Sequence, residues 1–205
     1  VDGLRLLVAV SRPRENEEYR QTLLGLQEQT RLLTKLAEDL LTLNRLNTSS
    51  DDGDEETEPV DLADICERML GALTGRLAER ELTVETDFDG AVEVVTSSAH
   101  ATILLRNLIE NAVKYTPPGG WIRIALRPGA GVLRLEVANA YPDVDQLDFV
   151  HLFDPFYRGD PSRSLAKVGN GLGLPICRRL AHLNGWTLTA RSEGDAIRFI
   201  TEFPM

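Results

Sequence analysis

Between residues 16 and 47, Leu26, Thr30, Leu33, Ala37, Leu40 and Asn44 recur at alternating steps of four and three. That spacing predicts one long helix of the coiled-coil or bundle type. Leu23, Leu36, Leu43 and Leu46 widen the stripe, which suits a bundle better than a two-stranded seam. A shorter apolar stretch, residues 4–10, precedes the helix, and Pro13 breaks the chain between the two. The pattern predicts a helical hairpin with a short first arm. Such a hairpin buries too little surface alone, so a homodimer through this N-terminal element is expected.

Residues 47–58 then run polar and acidic without one apolar side chain, the pattern of a solvated linker. The expected division is 1–48 for a partial dimerisation and phosphotransfer hairpin, 49–58 for the linker, and 59–205 for a second domain. From Val60 onward helical and alternating patterns mix. Helices are predicted over 62–77 and 172–183. Strands are predicted over 82–88, 92–95, 121–126, 132–137, 186–190 and 196–203, with a long irregular stretch from 139 to 168. This mixture predicts an α+β sandwich with helices on one face of a mixed sheet.

The stretch 103–115 carries the first candidate chemistry. At helical spacing Leu105, Leu108, Ile109 and Ala112 share one face, while Asn107, Asn111 and Lys114 share another. An asparagine oxygen ligates a hard cation or orients a water on it, and a lysine one turn away meets a phosphate. A solvated polar face gives the same pattern. Further on, Gly169-Asn170-Gly171-Leu172-Gly173-Leu174 opens a helix. Glycines there let backbone approach a phosphate, and a helix N-terminus favours an anion.

Taken in order, these stretches resemble a known family. Asn107-Leu-Ile-Glu-Asn111-Ala-Val-Lys114-Tyr115-Thr-Pro resembles the N box of the sensor histidine kinases, a branch of the ATPase superfamily shared with gyrase and MutL. Leu152-Phe153-Asp154-Pro155-Phe156-Tyr157-Arg158 looks like the family's F box, and the 169–174 stretch like its second glycine box. The resemblance implies the Bergerat ATP-binding fold and phosphoryl transfer from ATP with Mg2+. It implies catalytic positions at Asn107 and Lys114, and magnesium at Asn111. Lys114, Tyr115, Asn139, Arg158, Gly169, Gly171, Leu172 and Gly173 would border the nucleotide. Arg163 and Lys167 would lie with Arg158 in the ATP lid, and Phe153, Phe156 and Tyr157 would pack its base. Glu110 is expected to be solvated. A glutamate general base stands at the Asn107 position in the gyrase branch, and an amide cannot take a proton from water. The resemblance therefore implies transfer to a protein, with a response-regulator receiver domain as the next acceptor.

Two departures change the picture. The family's first glycine box, Asp-x-Gly-x-Gly, aligns with Asn139-Ala-Tyr141-Pro-Asp143. The amide oxygen of Asn139 still accepts a hydrogen bond, and an asparagine there resembles the heavy-metal-sensor subgroup. A ring at 141 and a carboxylate at 143 hinder nucleotide, and a left-handed backbone at either would add strain. The phosphoacceptor box His-Glu-x-Arg-x-Pro has no counterpart. The stretch Arg12-Pro-Arg-Glu-Asn-Glu-Glu-Tyr-Arg20 resembles the hairpin turn of heavy-metal-sensor-like kinases, which would put the acceptor before Val1. The other reading makes Asp2 a degenerate acceptor. His100, His151 and His182 lack the acceptor context and read as surface or packing residues.

Charge and cysteines narrow the classes. A net charge of −10 argues against nucleic acid and anionic lipid as partners. The two cysteines, Cys66 and Cys177, are too few for a disulfide framework and read as helix-packing thiols. No apolar run reaches membrane-spanning length. The expectation is a cytoplasmic, soluble piece whose membrane contact lies in segments outside this sequence. Two functions remain: the catalytic region of a sensor kinase, or a pseudokinase that keeps the fold and acts by docking.

Overall fold

A computed structural model describes residues 16–48, 56–88, 93–157 and 170–205. The expected first arm at 4–10, the break at Pro13, residues 49–55 of the linker, and Arg158, Arg163, Lys167 and Gly169 lie outside the described residues.

The long stripe forms one helix, α1 (Asn16–Thr48). Next come β1 (Glu58–Asp61) and α2 (Leu62–Glu79). The Asp61 carboxylate accepts the free N–H groups of Ala63 and Asp64, which starts α2 at that residue. Strands β2 (Thr83–Phe88) and β3 (Glu93–Thr96) lead into α3 (Ser98–Tyr115), capped by the Ser97 hydroxyl accepting from His100 N–H. Then follow β4 (Trp121–Pro128), β5 (Val132–Ala140), a 3-10 turn (Val144–Gln146), α4 (Gly173–Leu183), β6 (Thr187–Glu193) and β7 (Ala196–Pro204).

Five strands make the main sheet in the order β2-β4-β5-β7-β6. β2 pairs parallel with β4 and the remaining pairs are antiparallel, so the sheet is mixed as expected. Its inner face follows a two-residue period: Leu133, Leu135 and Val137 are buried, with Arg134 and Glu136 half-buried between them. The helices bury Leu62, Leu104, Leu105, Leu108, Ile109, Ile176 and Leu180 into one core with this face. The face of α3 picked out at 105, 108, 109 and 112 is the one that is buried.

β1 is the element the pattern did not predict. Glu58 was expected in the linker, and only Val60 of the four residues is buried. The strand exists because it pairs antiparallel with β3, from Glu58 opposite Thr96 to Asp61 opposite Glu93. Pairing between distant residues leaves no local periodicity.

α1 seats its C-terminal half on the rest of the fold. Leu46 and Asp39 are buried, and Arg179 Nε on α4 donates to Leu46 O at 3.0 Å. Leu23, Leu24, Leu33, Leu40 and Leu41 remain exposed, Leu33 at 67%. No helix among the described residues is long and apolar enough to cross a membrane.

Candidate ATP-binding site

One cavity of about 1900 Å³ lies between α1, α3, the end of β5 and the start of α4. Asn107, Asn111, Lys114, Tyr115, Asn139, Gly171 and Gly173 all border it, joined by Tyr141, Asp143 and Phe156, and by Arg31, Lys35 and Asp39 of α1. The residues singled out in three separate stretches therefore meet at one place.

Asn107 is buried, and its Nδ2 donates to Ile103 O one turn back at 2.9 Å. That bond turns its oxygen toward α4. A Cβ built on Gly173 would sit 2.9 Å from Asn107 Oδ1, closer than such contacts allow, so any side chain at 173 would push the Asn107 amide out of its place against α4. Asn111, half-buried one turn further on, makes no side-chain hydrogen bond to another described residue. Lys114 Nζ donates to Tyr115 OH at 2.8 Å and stands 4.4 Å from the centre of that ring.

The last turn of α3 is held by a residue that sequence reasoning passed over. Arg80, just past α2, donates from Nη1 to Val113 O and, at 3.0 Å, to Lys114 O, and from Nη2 to Thr116 O at 2.6 Å. A guanidinium there satisfies carbonyls that the helix leaves open and complements the negative end of its dipole.

At the end of β5, Asn139 is buried and its Nδ2 donates to Ala140 O at 3.0 Å, which leaves Oδ1 as the acceptor. Tyr141 N–H donates to Asp195 O at 2.7 Å, and its ring lies 6.5 Å from that of Tyr115. The left-handed strain considered for this box is absent: Asp143 has φ −98°, and among the described residues only Glu81 and Phe156 are non-glycine residues with positive φ. The unfavourable contributions left at 141 and 143 are bulk and charge.

The F-box stretch and the second glycine stretch are tied together by backbone. Gly171 has φ +70°, its carbonyl accepts from Phe156 N–H at 2.9 Å, and a Cβ on it would fall 2.8 Å from Phe156 Cα. Phe153 packs edge-on against Phe199, and Tyr157 OH accepts from Asp148 N–H at 2.8 Å, as expected for a packed base. Phe156 departs from that expectation: it has φ 65°, is 60% exposed, and borders the cavity. Its backbone serves the contact with Gly171, and this turns its ring outward.

Glu110 also departs from expectation. It is not simply solvated but lies 2.6 Å from Lys35 Nζ on α1. Above the glycine turn, Asn170 Nδ2 donates to Asp39 Oδ2 at 2.5 Å, and Asn170 Oδ1 accepts from Leu172 N–H at 3.2 Å. Lys35, Asp39 and Asn170 could not be found from local pattern, since each partner lies far away in sequence.

No histidine or cysteine among the described residues borders the cavity. His100 is buried, its Nδ1 3.2 Å from Asn184 Oδ1. His151 sits 2.7 Å from Asp154, and that bond raises the imidazole above its ordinary pKa and lowers the carboxyl. Cys66 is pushed up to about 12 by burial, and burial raises Cys177 further, so both are inert packing thiols. The described residues hold no group of three or more His, Cys, Asp or Glu side chains fit to bind a metal alone. A magnesium ion takes most of its ligands from phosphates and water, so one amide oxygen at Asn111 fits that donor chemistry.

A mixed sheet backed by helices, with paired asparagines and a glycine turn around one cavity, defines a class. Residues 96–205 match the family model described as histidine kinase-, DNA gyrase B-, and HSP90-like ATPase, and the chain belongs to that family. It is 33% identical over 189 residues to the signal transduction histidine-protein kinase BaeS of Escherichia coli K12, covering 90% of this chain and 39% of that protein. The chain thus spans about two fifths of that relative's length. Among solved structures, the histidine kinase AdeS of Acinetobacter baumannii shares the fold at a TM-score of 0.77 and 21% identity, over 98% of this chain and 91% of that one. The histidine kinase ThkA, solved in complex with the response regulator protein TrrA, shares it at 0.74 and 18%, over 99% and 56%. The chain therefore carries the ATPase domain of the histidine kinases, built as the expected sandwich with a helix in front.

Proposed function

We propose that this chain is the catalytic region of a two-component sensor kinase. It binds ATP with magnesium and transfers the terminal phosphoryl group to a histidine, for relay to a response regulator. The observation that carries this reading is the contact of Asn107 with Gly173, which brings the N box and the second glycine turn to one cavity.

The chemistry asked of the protein is modest. In phosphoryl transfer catalysis is mostly positioning and charge stabilisation. The bond from the terminal phosphorus to its bridging oxygen breaks, a bond forms from the lone-pair nitrogen of the imidazole to phosphorus, ADP leaves, and the other ring nitrogen then gives its proton to water. A neutral imidazole is itself a nucleophile near pH 7 and needs no carboxylate base, which suits an amide at 107. Asn111 would hold the magnesium ion, whose charge offsets that of the phosphates. Lys114 moves from Tyr115 OH to a phosphate, and Asn139 Oδ1 accepts from the adenine amino group. Backbone at Gly171, Leu172 and Gly173 meets the phosphates at the positive end of α4. Arg158 and Gly169 complete the set by resemblance.

The exposed leucines of α1 support a homodimer through the N-terminal helices. A receiver domain as partner is supported by ThkA, which is bound to a response regulator in its structure. The domain would work in the cytoplasm, where ATP and such regulators are found.

Labelled ATP tests the reading, with an acceptor hairpin carrying His-Glu-x-Arg-x-Pro supplied in trans. Acid-labile, alkali-stable label on the hairpin is expected, and none on this chain. Stable label on His100, His151 or His182 would overturn the assignment of the acceptor. Bound ATP with no label on the hairpin would overturn the transfer.

A further inference from the structure

Asn170 faces two ways. Its Nδ2 donates to Asp39 on α1 at 2.5 Å, and its Oδ1 accepts from Leu172 N–H at 3.2 Å, at the head of α4. Asp39 is 8% exposed, an unusual place for a carboxylate, and borders the cavity with Gly171 and Gly173. One turn earlier on α1, Lys35 reaches Glu110 between the two N-box asparagines at 2.6 Å. One helix thus touches both halves of the phosphate side.

We infer that Asp39 and Asn170 form a coupling device in which docking of α1 and phosphate occupancy of the glycine turn compete for the Leu172 N–H. This rests on the nucleotide reading given above. With α1 docked, the N–H is taken by Asn170 Oδ1, and the Asp39 carboxylate holds that amide in place. A phosphate oxygen that takes the N–H displaces Asn170 Oδ1 and comes near a buried carboxylate of like charge. The Asp39 contact then breaks and the adjoining part of α1 loosens. By linkage the effect is reciprocal: α1 docking lowers polyphosphate affinity by the factor by which polyphosphate loosens α1. Adenosine, which has no phosphate, feels neither. Asp39 and Asn170 are positioning residues here, acting on a backbone group rather than on the reacting atoms.

The test uses the whole chain as wild type, Asp39→Ala and Asn170→Ala, titrated by calorimetry with magnesium ATP and separately with adenosine. Hydrogen exchange of residues 35–46 is followed in each state. Both variants should bind ATP about fivefold tighter or more, the low end of ordinary coupling, with adenosine affinity unchanged. In wild type, ATP but not adenosine should speed exchange in α1. Unchanged or weaker ATP binding in both variants, with the wild type binding normally, would overturn the coupling and leave the nucleotide reading intact. Failure of the wild type to bind either ligand would overturn both.

Discussion

The side-chain oxygen of Asn107 and the α-carbon of Gly173 are set so close that a β-carbon on residue 173 would lie 2.9 Å from that oxygen. Asn107 has little freedom to retreat, because its Nδ2 is bonded to Ile103 O. Gly173→Ala should therefore cost about 1–3 kcal/mol of stability, the usual range for overpacking. It should also weaken ATP binding, because the displaced group belongs to the N box. Thermal unfolding and calorimetry measure the two effects. A variant with wild-type melting and affinity would show that this contact does not constrain the site.

Arg80 reaches the same helix from the other end. Arg80→Ala leaves the carbonyls of Val113, Lys114 and Thr116 without the guanidinium. A hydrogen bond to a charged group is worth roughly 1.5–3 kcal/mol, and because Arg80 is only half-buried water replaces part of all three, so the net loss should fall at about the level of one such bond in chemical denaturation. Arg80→Lys restores the charge but not the fork, and should recover only part of it. Full recovery by lysine would show that charge at the helix end, rather than the bonding pattern, holds the last turn.

Tyr141 and Asp143 sit where the family uses glycine. Neither has a left-handed backbone, so their cost to nucleotide lies in a ring beside Tyr115 and a carboxylate near polyphosphate. Tyr141→Gly with Asp143→Gly should tighten ATP binding about tenfold, or roughly 1.4 kcal/mol. Equal affinity in wild type and double variant would show that the altered box is compatible with nucleotide as it stands.

Leu33 is 67% exposed and Leu40 43% exposed on the helix whose apolar stripe predicts a dimer. In a dimer seam, Leu33→Glu or Leu40→Glu would place an unpaired charge among apolar groups. Light scattering should give a dimer for wild type and a monomer for either variant. A wild type that stays monomeric at high micromolar concentration would contradict the predicted interface.

Local pattern made most of this molecule legible. The buried face of α3, the strand alternation of β4, β5 and β7, and the glycine turn before α4 each follow from periodicity or from a backbone need of one short stretch. What escaped depends on distant partners. β1 is made by β3, Glu110 is drawn to Lys35, and Asp39 is buried because Asn170 meets it. Arg80 reads as an ordinary charge near a helix end until the carbonyls of α3 stand in front of it. Phe156 reads as a packing aromatic, yet its positive φ and its bond to Gly171 turn the ring outward.

The most direct test of the central claim is a calorimetric titration of magnesium ATP into the wild-type chain and into Asn111→Ala. Asn111 stands half-buried at the cavity with no side-chain bond to another described residue, so its loss should disturb the fold little and the site much. One ATP should bind per wild-type chain, with affinity falling about tenfold or more in the variant, a change of roughly 1.4 kcal/mol or greater. No ATP heat in the wild type, or equal affinity in the variant, would contradict the assignment of this cavity as the nucleotide site.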